Sequence, residues 1–175
     1  SEDFYFRHTG AHLAPVLETL EYVHHETDCW LEITTLLIPG ANDSTAELEA
    51  LTRWVHDHLG SDVPLHFTAF HPDYKMTDTP ATPLATLRRA REIGLAQGLH
   101  HVYTGNVRDA PGSTTNCATC HTPLIEREGY AITRYALDDA GRCSECAAPV
   151  VGRFGAAPNA HAIGNRRIPV QMHRA

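Results

Sequence analysis

At 175 residues, with 42% hydrophobic and 20% charged side chains, the chain can bury a core and is neither disordered nor membranous in composition. Its net charge of −7, from 14 basic and 21 acidic residues spread without runs, argues against a nucleic-acid partner, which would favour a basic stripe. No apolar run reaches membrane-spanning length and no signal peptide is visible, so neither a membrane nor a secreted setting is expected.

The chain opens on Ser1 and runs at once into what reads as the middle of a domain. Residues 11–25 carry Leu13, Val16, Leu17 and Leu20 at helical spacing, which predicts an amphipathic helix. Residues 30–38 are rich in β-formers and nearly continuous in apolar side chains towards their end, which suits a parallel strand covered on both faces. Pro39-Gly40-Ala41-Asn42-Asp43 breaks that run. Ser44 and Glu47 form a capping box for a helix whose stripe is Leu48, Leu51, Val55 and Leu59, and Gly60 ends it.

Residues 64–70 form a second short strand, followed by a long loop over 71–76. Thr82 is expected to cap and Pro83 to open the next helix, with Leu84, Leu87 and Leu95 facing inward and Gly98 as the stop. Residues 101–104 form a third strand. This alternation predicts an α/β fold with right-handed crossovers and a parallel sheet. Three strands are too few for a stable, closed α/β domain, so further strands are expected upstream in a longer parent or from a partner.

Cys117-Ala118-Thr119-Cys120 is answered by Cys143-Ser144-Glu145-Cys146 across a hairpin-like segment with strands at 124–126 and 130–137. Four thiolates in two tight turns suit tetrahedral Zn(II) or Fe(II); two unrelated redox or buried cysteine pairs are the alternative. A closed four-thiolate site is a structural staple, not a place of reaction. Four paired cysteines with only Cys29 left over fit a reducing cytoplasm better than a disulfide scaffold. Cys29, beside an apolar strand, is expected to be a small buried hydrophobe. The predicted organisation is an α/β part over residues 1–110, a four-cysteine zinc-ribbon-like β module over 111–154 and a flexible tail over 155–175.

Ligands gather at the carboxyl ends of parallel strands, which here means the loops at 39–43, 71–76 and 105–109. Their polar candidates are Asn42, Asp43, His71, Asp73, Lys75 and Asn106, each of which also has a plain reading as a turn or solvated loop residue. His71, directly after a strand, is the foremost. His24, His25, His56, His58, His100 and His101 are mostly at spacings that point to different faces, and His121 is surplus beside four cysteines. No nucleophile–base–orienter set emerges, so a hydrolase using His71 and Asp73 ranks last and no catalytic residue is assigned.

The string Trp30-Leu31-Glu32-Ile33-Thr34-Thr35-Leu36-Leu37-Ile38-Pro39-Gly40 with Asn42-Asp43 resembles a strand and loop of activating-enzyme-type radical SAM proteins. Pro64-Leu65-His66-Phe67-Thr68-Ala69-Phe70-His71-Pro72 with Lys75-Met76 resembles the next strand of the same barrel. With Tyr103-Thr104-Gly105-Asn106-Val107 and the double Cys-x-x-Cys, the pattern over residues 3–154 is similar to the radical SAM enzymes of the AmmeMemoRadiSam system, relatives of the pyruvate formate-lyase activating enzyme. The resemblance implies the last βα units of a partial TIM-type barrel, the carboxyl-terminal half of an enzyme that reductively cleaves S-adenosylmethionine to a 5′-deoxyadenosyl radical. That radical abstracts hydrogen from a protein or small-molecule substrate. It places the [4Fe-4S] cluster loop in a missing amino-terminal half or companion subunit, and allows companion proteins of the same system as partners. By position His71 matches a histidine that contacts S-adenosylmethionine, and Thr34 stands where the relatives use an arginine. The competing reading is a non-catalytic docking module on an α/β platform.

Overall fold

The computed structural model describes residues 1–153, and the tail expected at 155–175 lies outside the described residues. A short helix that the hydrophobic pattern does not announce comes first, α1 (Glu2–Thr9). It buries no residue and so has no apolar stripe to read; its limits come from the Ser1 side chain, which accepts from the Phe4 N–H, and from Gly10 in the left-handed region. The expected second helix is present as α2 (Leu13–Glu26), with Leu13, Val16, Leu17 and Leu20 half-buried.

Two βα steps and a closing strand follow: β1 (Ile33–Leu37), α3 (Thr45–Leu59), β2 (Leu65–Ala69), α4 (Leu84–Ala96) and β3 (Val102–Gly105). The strands form one parallel sheet in the order β1-β2-β3, with Ile33, Leu65 and Val102 level and Thr35, Phe67 and Thr104 level. Because side chains alternate along a strand, this register sorts the sheet into two unlike faces. Leu37, Leu65, Phe67 and Val102 turn to α3 and α4, where Leu48, Val55, Leu87 and Ala90 complete a buried core. Gly94 lets α4 come close to β3; a Cβ there would lie 3.1 Å from Val102 Cγ2. The other face carries Thr34 and Leu36, His66 and Thr68, Tyr103 and Gly105.

Four expectations need correction. β1 is covered on one face only among the described residues, and Leu36 is 43% exposed, because both crossover helices lie on the same side. Leu95 does not face inward: from Leu87 the helical period runs through Ala90 to Gly94, which leaves Leu95 off the stripe and 37% exposed. Thr82 does not cap α4, whose N-cap is Pro83. Its hydroxyl instead donates to Leu37 O and accepts from the Phe70 N–H at 2.9 Å, tying together the ends of β1 and β2. Ser44 does cap α3, but the reciprocal half of the box is missing, since the Glu47 carboxylate accepts from the Ser1 amino group.

The end of β3 is pinned by a buried carboxylate. Asp109 Oδ1 accepts from Arg88 Nη2 at 2.8 Å, and its Oδ2 from Thr104 Oγ1 at 3.1 Å. The Arg88 hydrogen bonds, helped by Thr104, hold the Asp109 carboxyl below its ordinary value against the opposing effect of burial. A depressed folded-state value means that the contribution is present above the unfolded carboxylate range and is lost as pH falls through the folded value. Asp109→Asn should therefore lower stability by about 1–3 kcal/mol at neutral pH, with the difference from wild type closing below about pH 4. Urea titrations at pH 7 and pH 3 check this; an equal gap at both would refute it.

After α5 (Ala110–Ser113) the chain changes style. β4 (Thr115–Asn116), β5 (Pro123–Glu128) and β6 (Ala131–Tyr135) form an antiparallel sheet in that order, with Gly129 turning the β5–β6 hairpin at φ 59°. Its core is small: Leu124 and Ile125 with Cys117 and Cys143, edged by half-buried apolar groups. No helix among the described residues is long and apolar enough to cross a membrane.

Candidate functional site

The two cysteine turns are built alike. Cys117 donates its N–H to Thr122 O and accepts at its carbonyl from the His121 N–H; Cys143 does the same with Ala148 O and the Ala147 N–H, all at 2.9 Å. Each turn closes on a left-handed residue, His121 at φ 60° and Ala147 at φ 58°. Folding one turn against the other brings Cys117 Sγ to 3.7 Å from Cys146 Sγ and Cys120 Sγ to 3.6 Å from Cys143 Sγ, with all four sulfurs within 4.8 Å of one another. A tetrahedral ion with metal–sulfur bonds of about 2.3 Å needs its sulfurs about 3.8 Å apart, so the four residues fit one Zn(II) or Fe(II). They do not fit a four-iron cluster, whose cysteines bind separate corners of a cube.

Electrostatics support the same conclusion. Thr122, through its hydroxyl and its backbone N–H, pulls the Cys120 thiol down to about 6. The Ala148 N–H favours a thiolate at Cys146 too, yet the neighbouring thiols, Cys120 foremost, push it up to about 12. Four negative sulfurs cannot share this space without a cation, so binding displaces protons and couples the fold to the metal. Among the described residues this is the one group of histidine, cysteine or carboxylate side chains arranged for a metal ion. His121 serves as the turn residue and is not a fifth ligand. Cys29 is exposed, contrary to expectation, because β1 starts only at Ile33 and leaves it on the connecting segment.

The three loops expected to gather chemistry do lie at one end of the parallel sheet, but most of their polar groups hold the backbone. Asn42, buried, accepts from the Ile38 N–H at 2.7 Å and donates to Leu36 O at 2.9 Å. Asp43 accepts from the Gly40 N–H, Asp73 from the Tyr74 N–H, and Asn106 donates to Ala69 O. Lys75 lies over the exposed Tyr74 ring. His71 is the exception: it is exposed just beyond β2, with no hydrogen-bond partner among the described residues. Thr34 sits elsewhere, partway along β1 on the bare face and level with His66, so the two candidate cofactor residues stand at different heights on the sheet.

The lower part of that bare face holds a constellation that residue-by-residue reading missed. Glu32 accepts from His66 Nε2 and from Trp30 Nε1, both at 2.9 Å. The His66 ring stacks on Tyr103 with centroids 5.0 Å apart. Tyr103 and Thr115 share a 2.8 Å hydroxyl hydrogen bond, and Arg127 of β5 lies over the Tyr103 ring. The module thus leans on the sheet and encloses with it a cavity of about 660 Å³. The signal was present in the alternation of Leu65, His66, Phe67 and Thr68, which places the histidine opposite the core.

No family model matches the chain. A protein of Methanocaldococcus jannaschii described as uncharacterized is 42% identical over 145 residues, covering 82% of this chain and 43% of that protein. The chain thus spans less than half the length of the curated relative it matches. A solved radical SAM methyltransferase from Sphaerobacter thermophilus is similar over 69% of this chain and 32% of its own, at 18% identity and a TM-score of 0.47.

Proposed function

We propose that this chain forms the later βα units of a radical SAM barrel carrying a structural four-cysteine metal module, within a longer protein. What supports the reading is a conjunction: the three strings that resemble activating-enzyme strands are the three neighbours of one parallel sheet, and their loops leave it at the same end. The family's chemistry, reductive cleavage of S-adenosylmethionine at a [4Fe-4S] cluster, needs ligands that the four clustered cysteines do not offer, so that part falls to polypeptide beyond this chain. The residues present would shape one wall. Asn42, Thr82 and Asn106 hold the strand ends rigid, and His71 stands free there to contact the adenosyl group. The substrate is a protein or a small molecule that yields a hydrogen atom.

The test is anaerobic reconstitution of the full-length protein with S-adenosylmethionine and a one-electron reductant. 5′-Deoxyadenosine should be released, and His71→Ala should weaken S-adenosylmethionine binding about tenfold, the loss of roughly one charged-group hydrogen bond. No iron–sulfur absorption and no 5′-deoxyadenosine would sink the proposal. A docking module is the second reading, favoured by Tyr130, which stands 92% exposed beside the turn of the β5–β6 hairpin.

A further inference from the structure

The cavity between the bare sheet face and the module is lined by groups whose charges do not balance. Glu32 is already engaged by His66 and Trp30. Against it stand two guanidinium groups, Arg127 and Arg153. Arg127 is half-buried and has no carboxylate partner among the described residues. Its Nη1 donates to Ser113 O and to Thr115 Oγ1, both at 3.0 Å, and the Tyr103 ring supports its plane with the centroid 5.9 Å from Cζ. That leaves Nε and Nη2, the side-on edge of the fork, without a protein acceptor among the described residues. A fixed planar edge with two parallel N–H donors matches a carboxylate or a phosphate. A buried orphan borders the same space: His101 is 6% exposed and its Nδ1 has no partner among the described residues. Buried polar groups are normally satisfied, so the orphaned His101 Nδ1, beside an open guanidinium edge at the same cavity, calls for a ligand.

We propose that this cavity binds a small oxyanion, a carboxylate or a phosphate, held side-on by Arg127 Nε and Nη2 and walled by the stacked His66 and Tyr103 rings. The Glu32 hydrogen bond fixes the His66 ring, so the pocket is shaped before the anion arrives. The site lies towards the amino-terminal ends of the strands, away from the loops that carry His71, and stands whatever those loops bind.

The probes are inorganic phosphate and acetate, titrated separately into metal-loaded, ¹⁵N-labelled full-length protein while the Arg127 Nε–H resonance is followed. A saturable shift with phosphate alone identifies a phosphate site, and with acetate alone a carboxylate site. Arg127→Gln should weaken the anion about tenfold or more, the effect of losing charge-assisted hydrogen bonds. Arg127→Lys, which keeps the charge but not the fork, guards against misfolding of the first variant and should also bind distinctly more weakly. Absence of a saturable shift with either anion, or wild-type affinity in Arg127→Lys, overturns the proposal.

Discussion

Cys117→Ala is expected to cost the protein its metal ion and the fold of the module together. Cys117 is 2% exposed and is both a ligand and part of the module's core, which otherwise contains little beyond Leu124 and Ile125. A domain that small does not stand on apolar burial, and a structural zinc contributes about 10–16 kcal/mol to the folds it closes. Wild-type protein should carry one divalent ion at the four-cysteine site. The variant should carry none at neutral pH, and its β4, β5 and β6 amides should exchange as in an unfolded chain. Protection in β2 should persist, since that strand belongs to a separate core. Metal analysis with amide hydrogen exchange decides the matter: a variant that keeps both its ion and its protected hairpin would show that the site is not a closed tetrahedron.

Phe67→Ala should be the most damaging change in the α/β part. Phe67 is fully buried in the middle of the central strand, level with Thr35 on one side and Thr104 on the other, and packs in the cluster formed by β1–β3 with α3 and α4. Truncating a core phenylalanine costs about 3–5 kcal/mol, through lost transfer energy and the cavity left behind. Against a total stability of about 5–15 kcal/mol this removes a large share. The urea midpoint should fall sharply at unchanged slope. Tyr130→Ala, at a 92% exposed position, serves as the neutral comparison, and matching midpoints for the two variants would mean that β2 is not central.

The order of the elements was legible because its signals are local. Helical stripes, the Ser44 cap and the Gly60 and Gly98 stops can be read from a few neighbouring residues, and the cysteine turns from their spacing alone. What could not be read depends on which elements meet. Thr82 looks like a helix cap until β1 and β2 bring Leu37 O and the Phe70 N–H to its hydroxyl. The Leu36 side chain looks like core until both crossover helices settle on the opposite face. Asn42 and Asp43 read as either ligands or turn residues, and hydrogen bonds to Ile38 and Gly40 show them to be turn residues. The cavity around Arg127 joins residues from β2, β3 and β5, a set that no spacing rule connects. Of the loop candidates His71 is the one whose ring no described neighbour engages, a property of the surroundings that its own position in the chain does not encode.

The pairing of the strands also sets the order in which the chain can assemble. Ile33 meets Leu65, and Leu65 meets Val102, so each rung of the parallel sheet must wait for a whole helical crossover to close. The β5–β6 hairpin needs only the turn at Gly129, and its cysteine turns can capture an ion as soon as they exist. Hairpins form in microseconds, whereas non-local pairings pay loop-closure entropy before any contact rewards it. In refolding of the whole chain from denaturant, the hairpin, with the shorter loop to close, should therefore gain amide protection before the parallel sheet does.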